Sequence, residues 1–286
     1  MIPATALSAQ PQPDWRQSLR EAFTDARELL QALDLGALAD RLPERDAGFD
    51  LRVPRGFVAR MRRGDPRDPL LLQVLPQLAE NEDAPGFVED AVGDLAARSA
   101  HGVLHKYEGR ALLIAAGTCA VNCRYCFRRH FPYSGEIAAA NGWREALAHV
   151  RADSSIREVI LSGGDPLILS DAKLRELTKG LDAIPHVRTL RLHSRLPVVL
   201  PERVDAGLCD WLATLPLRRV VVLHANHPDE LDGSVREACA RLHQAGATLL
   251  NQSVLLRGIN DDPTVLAGLS ERLFDFGVLP YYLHQL

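Results

Sequence analysis

Three cysteines crowd into the run GlyThrCysAlaValAsnCysArgTyrCysPheArgArgHis at positions 117–130, spaced Cys119-x3-Cys123-x2-Cys126. Three thiolates on one short loop can wrap one corner of a cube. They would hold three irons of a [4Fe–4S] cluster and leave the fourth open to a small molecule that could take an electron from it. A zinc knuckle and three structural cysteines are the competing readings, and His130 is close enough in sequence to count as a fourth zinc ligand. The aromatic Tyr125 just before the last cysteine, on a loop leaving a strand, favours the cluster. The remaining two, Cys209 and Cys239, fall on apolar faces of helical patterns and read as buried structural residues. Five cysteines so distributed are not a disulfide framework.

Such a loop needs a rigid carrier, and the patterning supplies one. Short apolar runs at 111–116, 157–161, 187–193, 218–224, 247–255 and 279–283 alternate with amphipathic segments near 137–151, 170–183, 202–213, 229–245 and 262–276. Near-continuous apolar strands between helices predict βαβ units on a parallel sheet. Right-handed crossovers would curl six such units into an open or partial α/β barrel. Chemistry in parallel α/β folds gathers at the carboxyl ends of the strands, where the unusual residues of this chain fall. One is SerGlyGlyAsp (162–165), whose glycines permit close backbone approach and whose Asp165 suits a ligand ammonium; a strand-ending turn is the plainer reading. HisAlaAsnHis (224–227) reads as polar strand-end residues, since no carboxylate lies at ligand spacing. Residues 1–13 read as disordered and 14–104 as a helical extension. Thr24 or Asp25 could cap its second helix, and Pro54, Pro66, Pro69 and Pro76 cut residues 51–80 into short pieces. The acidic run at 80–83 reads as a solvated connection. Residues 105–286 form the expected barrel core.

The cysteine loop resembles the signature of the radical S-adenosylmethionine superfamily, and its continuation through His130, Phe131 and Pro132 resembles the lysine 2,3-aminomutases. The likeness extends to LeuSerGlyGlyAspPro (161–166), HisSerArgLeuPro (193–197), AsnHisPro (226–228), AsnGlnSerValLeuLeuArgGlyIleAsnAsp (251–261) and ProTyrTyrLeuHis (280–284). LeuArgValProArg (51–55) and LeuHisLysTyr (104–107) are similar to the short aminomutases that make (R)-β-lysine for translation elongation factor P. The resemblance implies an isomerase that converts (S)-α-lysine to (R)-β-lysine by reductive cleavage of S-adenosylmethionine, with pyridoxal 5′-phosphate holding the substrate. It implies that Cys119, Cys123 and Cys126 ligate the cluster. Gly163, Gly164, Asp165, His224 and Gln252 would lie near S-adenosylmethionine, and Lys106, Tyr107 and Arg110 near pyridoxal phosphate. Arg128 would grip the substrate carboxylate, a task a bidentate guanidinium suits. Either His224 or Gln252 could instead be a satisfied polar residue of the barrel mouth. Arg129 reads as a surface or scaffold charge. The implied partners are lysine and an electron donor such as flavodoxin or ferredoxin, with homo-oligomerisation admitted.

Composition agrees with a cytoplasmic enzyme. Net charge is -4 and pI about 6.2, without the basic footprint of a nucleic-acid binder, and no signal peptide or membrane-spanning stretch is apparent. Of 33 basic side chains only Lys106, Lys173 and Lys179 are lysines. The family carries its pyridoxal-binding lysine, and an aspartate for the substrate ammonium, beyond the strand motif on which this sequence stops at Leu286. The expectation is therefore a truncated sequence with impaired turnover. A radical enzyme independent of pyridoxal phosphate, or a non-catalytic metal-binding or interaction protein on the same scaffold, are the alternatives.

Overall fold

Runs such as AlaLeuLeuIleAlaAla (111–116) and ValValValLeu (220–223) are too apolar to leave one face in water. A computed structural model, which describes residues 14–43, 50–82 and 85–285, covers both faces of these strands. Residues 1–13, read as disordered, lie outside the described residues. The strands are β1 (Arg98–Ala100), β2 (Val103–Tyr107), β3 (Arg110–Ala116), β4 (Glu158–Gly163), β5 (Thr189–Ser194), β6 (Arg218–His224), β7 (Thr248–Leu255) and β8 (Leu279–Gln285). They lie in sequence order in one open sheet, with β1 and β8 at its edges. Pairing is antiparallel from β1 to β3 and parallel from β3 to β8. This is the partial α/β barrel expected from the alternation.

The register sorts the side chains into two layers. Leu161, Leu192, Val221 and Leu249 stand side by side across β4–β7, and all are buried. Their alternates Ile160, Arg191, Val220 and Thr248 line the opposite face, the inside of the curled sheet. The crossover helices are Arg144–Ala152, Asp171–Asp182, Ala206–Ala213, Gly233–Gln244 and Pro263–Asp275. Ser170, Asp205, Asp232 and Asp262 cap the last four by accepting from first-turn backbone N–H groups, and Pro263 opens its helix where no N–H is needed.

Before the sheet, helices Trp15–Arg20 and Ala26–Ala32 are capped by Asp14 and Asp25. Short turns of helix follow at Arg55–Val58, Leu71–Gln73 and Leu78–Asn81, as the prolines dictate. Leu29, Leu30, Phe57, Leu70 and Leu71 are fully buried and join the main core. The sheet begins at Arg98, inside the stretch read as a helical extension, and β2 spans the boundary drawn at 105. Strands of three and five residues around a Gly102 turn are too short to show alternation. A second difference concerns the acidic run at 80–83. Glu80 is not solvated; it accepts from Arg124 Nε at 2.5 Å and Arg129 at 2.8 Å, both on the cysteine loop, while Asp83 lies outside the described residues. Arg129 is accordingly a scaffold charge.

Candidate active site

The cysteine loop leaves the carboxyl end of β3 and is held from outside the sheet. Asn122 N–H donates to Arg52 O at 3.0 Å, Arg124 N–H to Gln73 O at 2.9 Å, and the Arg124 guanidinium to Leu72 O at 2.7 Å. Beneath the loop, β4 ends on two glycines. Gly163 has φ +108, and a Cβ on Gly164 would lie 2.3 Å from Thr118 O. Only glycine lets Gly164 N–H reach Ala116 O at 2.7 Å and Asp165 N–H reach Thr118 O at 2.9 Å. The close approach anticipated for these glycines is thus made to the chain itself.

Asp165 also differs from expectation. Its Oδ1 accepts from Leu167 N–H at 3.0 Å and Ser194 Oγ at 2.7 Å; its Oδ2 accepts from Arg195 N–H at 2.7 Å and Leu196 N–H at 3.2 Å. A carboxylate has about four acceptor positions, so none is left for a ligand ammonium. Burial nevertheless pushes its carboxyl up to about 6. Asp165 fixes the end of β5 to the end of β4, and its role is to place Arg195.

Arg195 went unremarked in the sequence although it stands in HisSerArgLeuPro. It is 4% exposed, and its NH1 donates to Cys123 Sγ at 2.7 Å. NH2 donates to Gln73 Oε1 at 2.8 Å and Glu230 Oε2 at 3.1 Å. Burial opposes the charge, but Cys123, Tyr125 and Glu230 outweigh it and hold the guanidinium above the ordinary arginine range. Glu230 is itself fully buried, accepting from Asn226 N–H at 2.8 Å, His227 N–H at 3.1 Å and Gln73 Nε2 at 3.1 Å.

Arg128, two residues beyond the last cysteine, is buried at the end of β4. Its Nε donates to Asp94 Oδ2 at 2.6 Å and its NH1 to Ser162 Oγ at 3.0 Å. Five guanidinium donors less these two leave three for another acceptor. Asp94, 2% exposed, also takes the ammonium of Lys106, which further donates to Val92 O at 2.6 Å. Lys106 therefore reaches the site through Asp94. Tyr107 and Arg110 remain exposed at the amino end of β3, roughly 20 Å from the cysteine loop by ~3.3 Å per strand residue.

On the inside of β5–β7, His193, His224 and Gln252 come together. Gln252 Nε2 lies 3.4 Å from His224 Nδ1, and the two imidazoles meet edge to face at 6.0 Å. Among the described residues, the Nε2 atoms of both histidines are buried without a partner. Burial, then Arg191 and Arg128, depress His193 to about 3; burial, then His193 and Arg195, hold His224 well below the ordinary range. Both are neutral. If His224 Nδ1 accepts from Gln252, its Nε2 carries a proton and has no acceptor. Two unmatched buried nitrogens are the mark of a place for a polar ligand.

The donor set distinguishes the metal readings. Cys119, Cys123 and Cys126 are free thiols, and burial raises Cys119 and takes Cys126 up to about 11, so deprotonation must come with metal binding. Among the described residues, no three His, Cys, Asp or Glu side chains converge on one metal ion. Three thiols on one short loop suit a cluster in which each thiolate takes its own iron. His130 is exposed, and Cys239 is buried in the core away from the loop.

Comparison with known proteins agrees. Residues 107–186 match a family described as a 4Fe-4S single cluster domain. The L-lysine 2,3-aminomutase of Escherichia coli (strain K12) is 47% identical over all of this chain and 84% of that protein. The L-lysine 2,3-aminomutase of Buchnera aphidicola is 42% identical over 96% of this chain and 81% of its own length. That of Clostridium subterminale is 32% identical over 95% of the chain and 66% of its length.

Proposed function

Since this chain belongs to the L-lysine 2,3-aminomutase family, we propose that its substrate is free lysine, moved through the site by an isomerase that binds an iron–sulfur cluster and S-adenosylmethionine. The observation that carries the reading is Arg128, buried beside Cys126, pinned through Nε and NH1 yet with three donors uncommitted among the described residues. Cys119, Cys123 and Cys126 would hold the cluster, which supplies one-electron chemistry when bound. Arg128 then takes the lysine α-carboxylate and sets the distance of the β-carbon from the cysteine loop. His224 and Gln252 offer neutral donors to the nucleoside side of S-adenosylmethionine. These side chains add no charge of their own to the lining, whose charges are Arg128 and Arg191.

Pyridoxal phosphate enters the proposal from the family. The likeness offers Arg110 and Tyr107 to its phosphate, but they lie exposed at the amino end of β3, away from the cysteine loop, and do not fit that role here. The lysines do not fit an imine: Lys106 is paired with Asp94, and Lys173 and Lys179 sit exposed on the helix Asp171–Asp182. No step is drawn through that group. The finer reading, resting on LeuArgValProArg and LeuHisLysTyr, is that the product is (R)-β-lysine for elongation factor P, made in the cytoplasm with a flavodoxin or ferredoxin as reductant. No helix among the described residues is long and apolar enough to cross a membrane.

The test is anaerobic reconstitution with iron and sulfide, then incubation with reductant, S-adenosylmethionine and lysine, with and without pyridoxal phosphate. Deoxyadenosine that forms only with lysine present, together with β-lysine, supports the proposal. Zinc in place of iron, or deoxyadenosine release indifferent to lysine, would sink it.

A further inference from the structure

Of the three cysteines, Cys123 is treated differently by the fold. Cys126 has a backbone N–H directed at it, from Arg128, whereas among the described residues Cys123 is the one that receives side-chain donors, Arg195 NH1 at 2.7 Å and the Tyr125 hydroxyl. That guanidinium is held through NH1 and NH2, while its Nε is buried without a partner among the described residues. The residue's backbone N–H is fixed by Asp165, its NH2 by Gln73 and Glu230, and its Cζ lies 5.4 Å from the Phe57 ring centroid and 5.5 Å from that of Tyr125. Its charge is balanced by a fully buried Glu230, so what it presents to the sulfur is less a net charge than a directed N–H.

A donor fixed on a cluster thiolate stabilises the more electron-rich state, because added electron density on the sulfur strengthens the bond. We infer that Arg195 is a positioning residue for electron transfer: its hydrogen bond to Cys123 raises the reduction potential of the cluster and makes the iron bound by Cys123 distinct from the other two thiolate-bound irons. This rests on the cluster reading above. It concerns how readily one electron from the external donor enters the cluster, and the same electron leaves on cleavage of S-adenosylmethionine, so no further reductant is required.

The experiment uses the full chain, reconstituted anaerobically, with Arg195→Lys and the double variant Arg195→Met/Glu230→Met. The double variant removes both buried charges together and so leaves no orphan carboxylate to unfold the protein. EPR-monitored potentiometric titration should show the midpoint moving negative, with about a tenfold lower reduction equilibrium constant in the double variant, ~59 mV for one electron. Arg195→Lys should fall between. In the unsubstituted chain, proton ENDOR of the reduced cluster should show a strongly coupled proton that exchanges slowly into deuterium oxide. Iron retained with a midpoint within twofold in equilibrium constant overturns the inference, as does absence of that proton. Loss of iron from a still-folded variant also overturns it, because Arg195 would then serve assembly. An unsubstituted chain that takes up no cluster would instead refute the underlying functional reading.

Discussion

Around the cysteine loop the rim of the sheet is held by full charges: Arg195 against Glu230, Arg128 and Lys106 against Asp94, Arg124 and Arg129 against Glu80. Across β5–β7 the same rim carries His193, His224 and Gln252, and both imidazoles are neutral with one nitrogen unpartnered among the described residues. The first region is tied together by ion pairs, with donors to spare on Arg128, and the second has no ion pair of its own. Charges buried in ion pairs give rigid geometry at little net stability, which suits a scaffold that must hold thiols at fixed spacing. Unmatched neutral groups cost stability until something binds, which suits a ligand surface.

The contrast can be broken by substitution on either side. The largest effect is expected from Cys126→Ser: iron analysis should show the cluster lost, and aminomutase turnover should vanish. Next, Glu230→Ala leaves Arg195 charged and unpaired in the core, so denaturant melts should show destabilisation by about 3–5 kcal/mol. A loss below 1 kcal/mol would mean that water reaches this pair. Arg128→Gln leaves fold and iron content intact but weakens lysine capture. Calorimetric titration of the reconstituted protein should show lysine affinity reduced roughly tenfold to a hundredfold, the size of hydrogen bonds to a charged group, about 1.5–3 kcal/mol.

The smallest effect belongs to the neutral side and has the opposite sign. His193→Leu removes an orphan nitrogen, and the protein should become more stable in the absence of ligands, by about 1 kcal/mol. The same variant sharpens the comparison through pH. His193 titrates near 3 when folded against 6.5 when unfolded, so between these values the unfolded chain binds more protons. Its contribution is present above 6.5 and is lost as pH falls toward 3, with Arg191, Arg128, His224 and His284 all facing it. Melts from pH 7 to 4 should show a shallower acid limb for the leucine variant. An unchanged slope would mean that His193 is charged in the folded protein.

Much of this arrangement was legible in the residue order. The strand at 218–224 was bounded to the residue, because two arginines and a histidine frame a purely apolar run. Cysteine spacing and the family strings located the loop and Arg128. What could not be read was partnership at long range. Asp165 has the chemistry expected of it, an acceptor of several donors, but the donors come from β5 and its following turn. Arg195 lies in a sequence with no local acid; the carboxylate that neutralises it is 35 residues away, and the sulfur it donates to is 72 residues away. Glu80 looked solvated for the same reason, since its arginines arrive from the cysteine loop. Nothing in local periodicity distinguishes a buried paired charge from a surface one.

Gln73 gives these long-range ties a genetic meaning. Its Oε1 receives Arg195, Asn226 and Tyr125, its Nε2 reaches Glu230, and its backbone carbonyl holds the cysteine loop. One amide from the segment before the sheet thus closes a polar knot drawn from three later parts of the chain. A crossover near residue 105 between relatives would keep this knot only where both lineages carry the amide and its partners. Residues 73, 195, 226 and 230 should therefore travel through descent as a set.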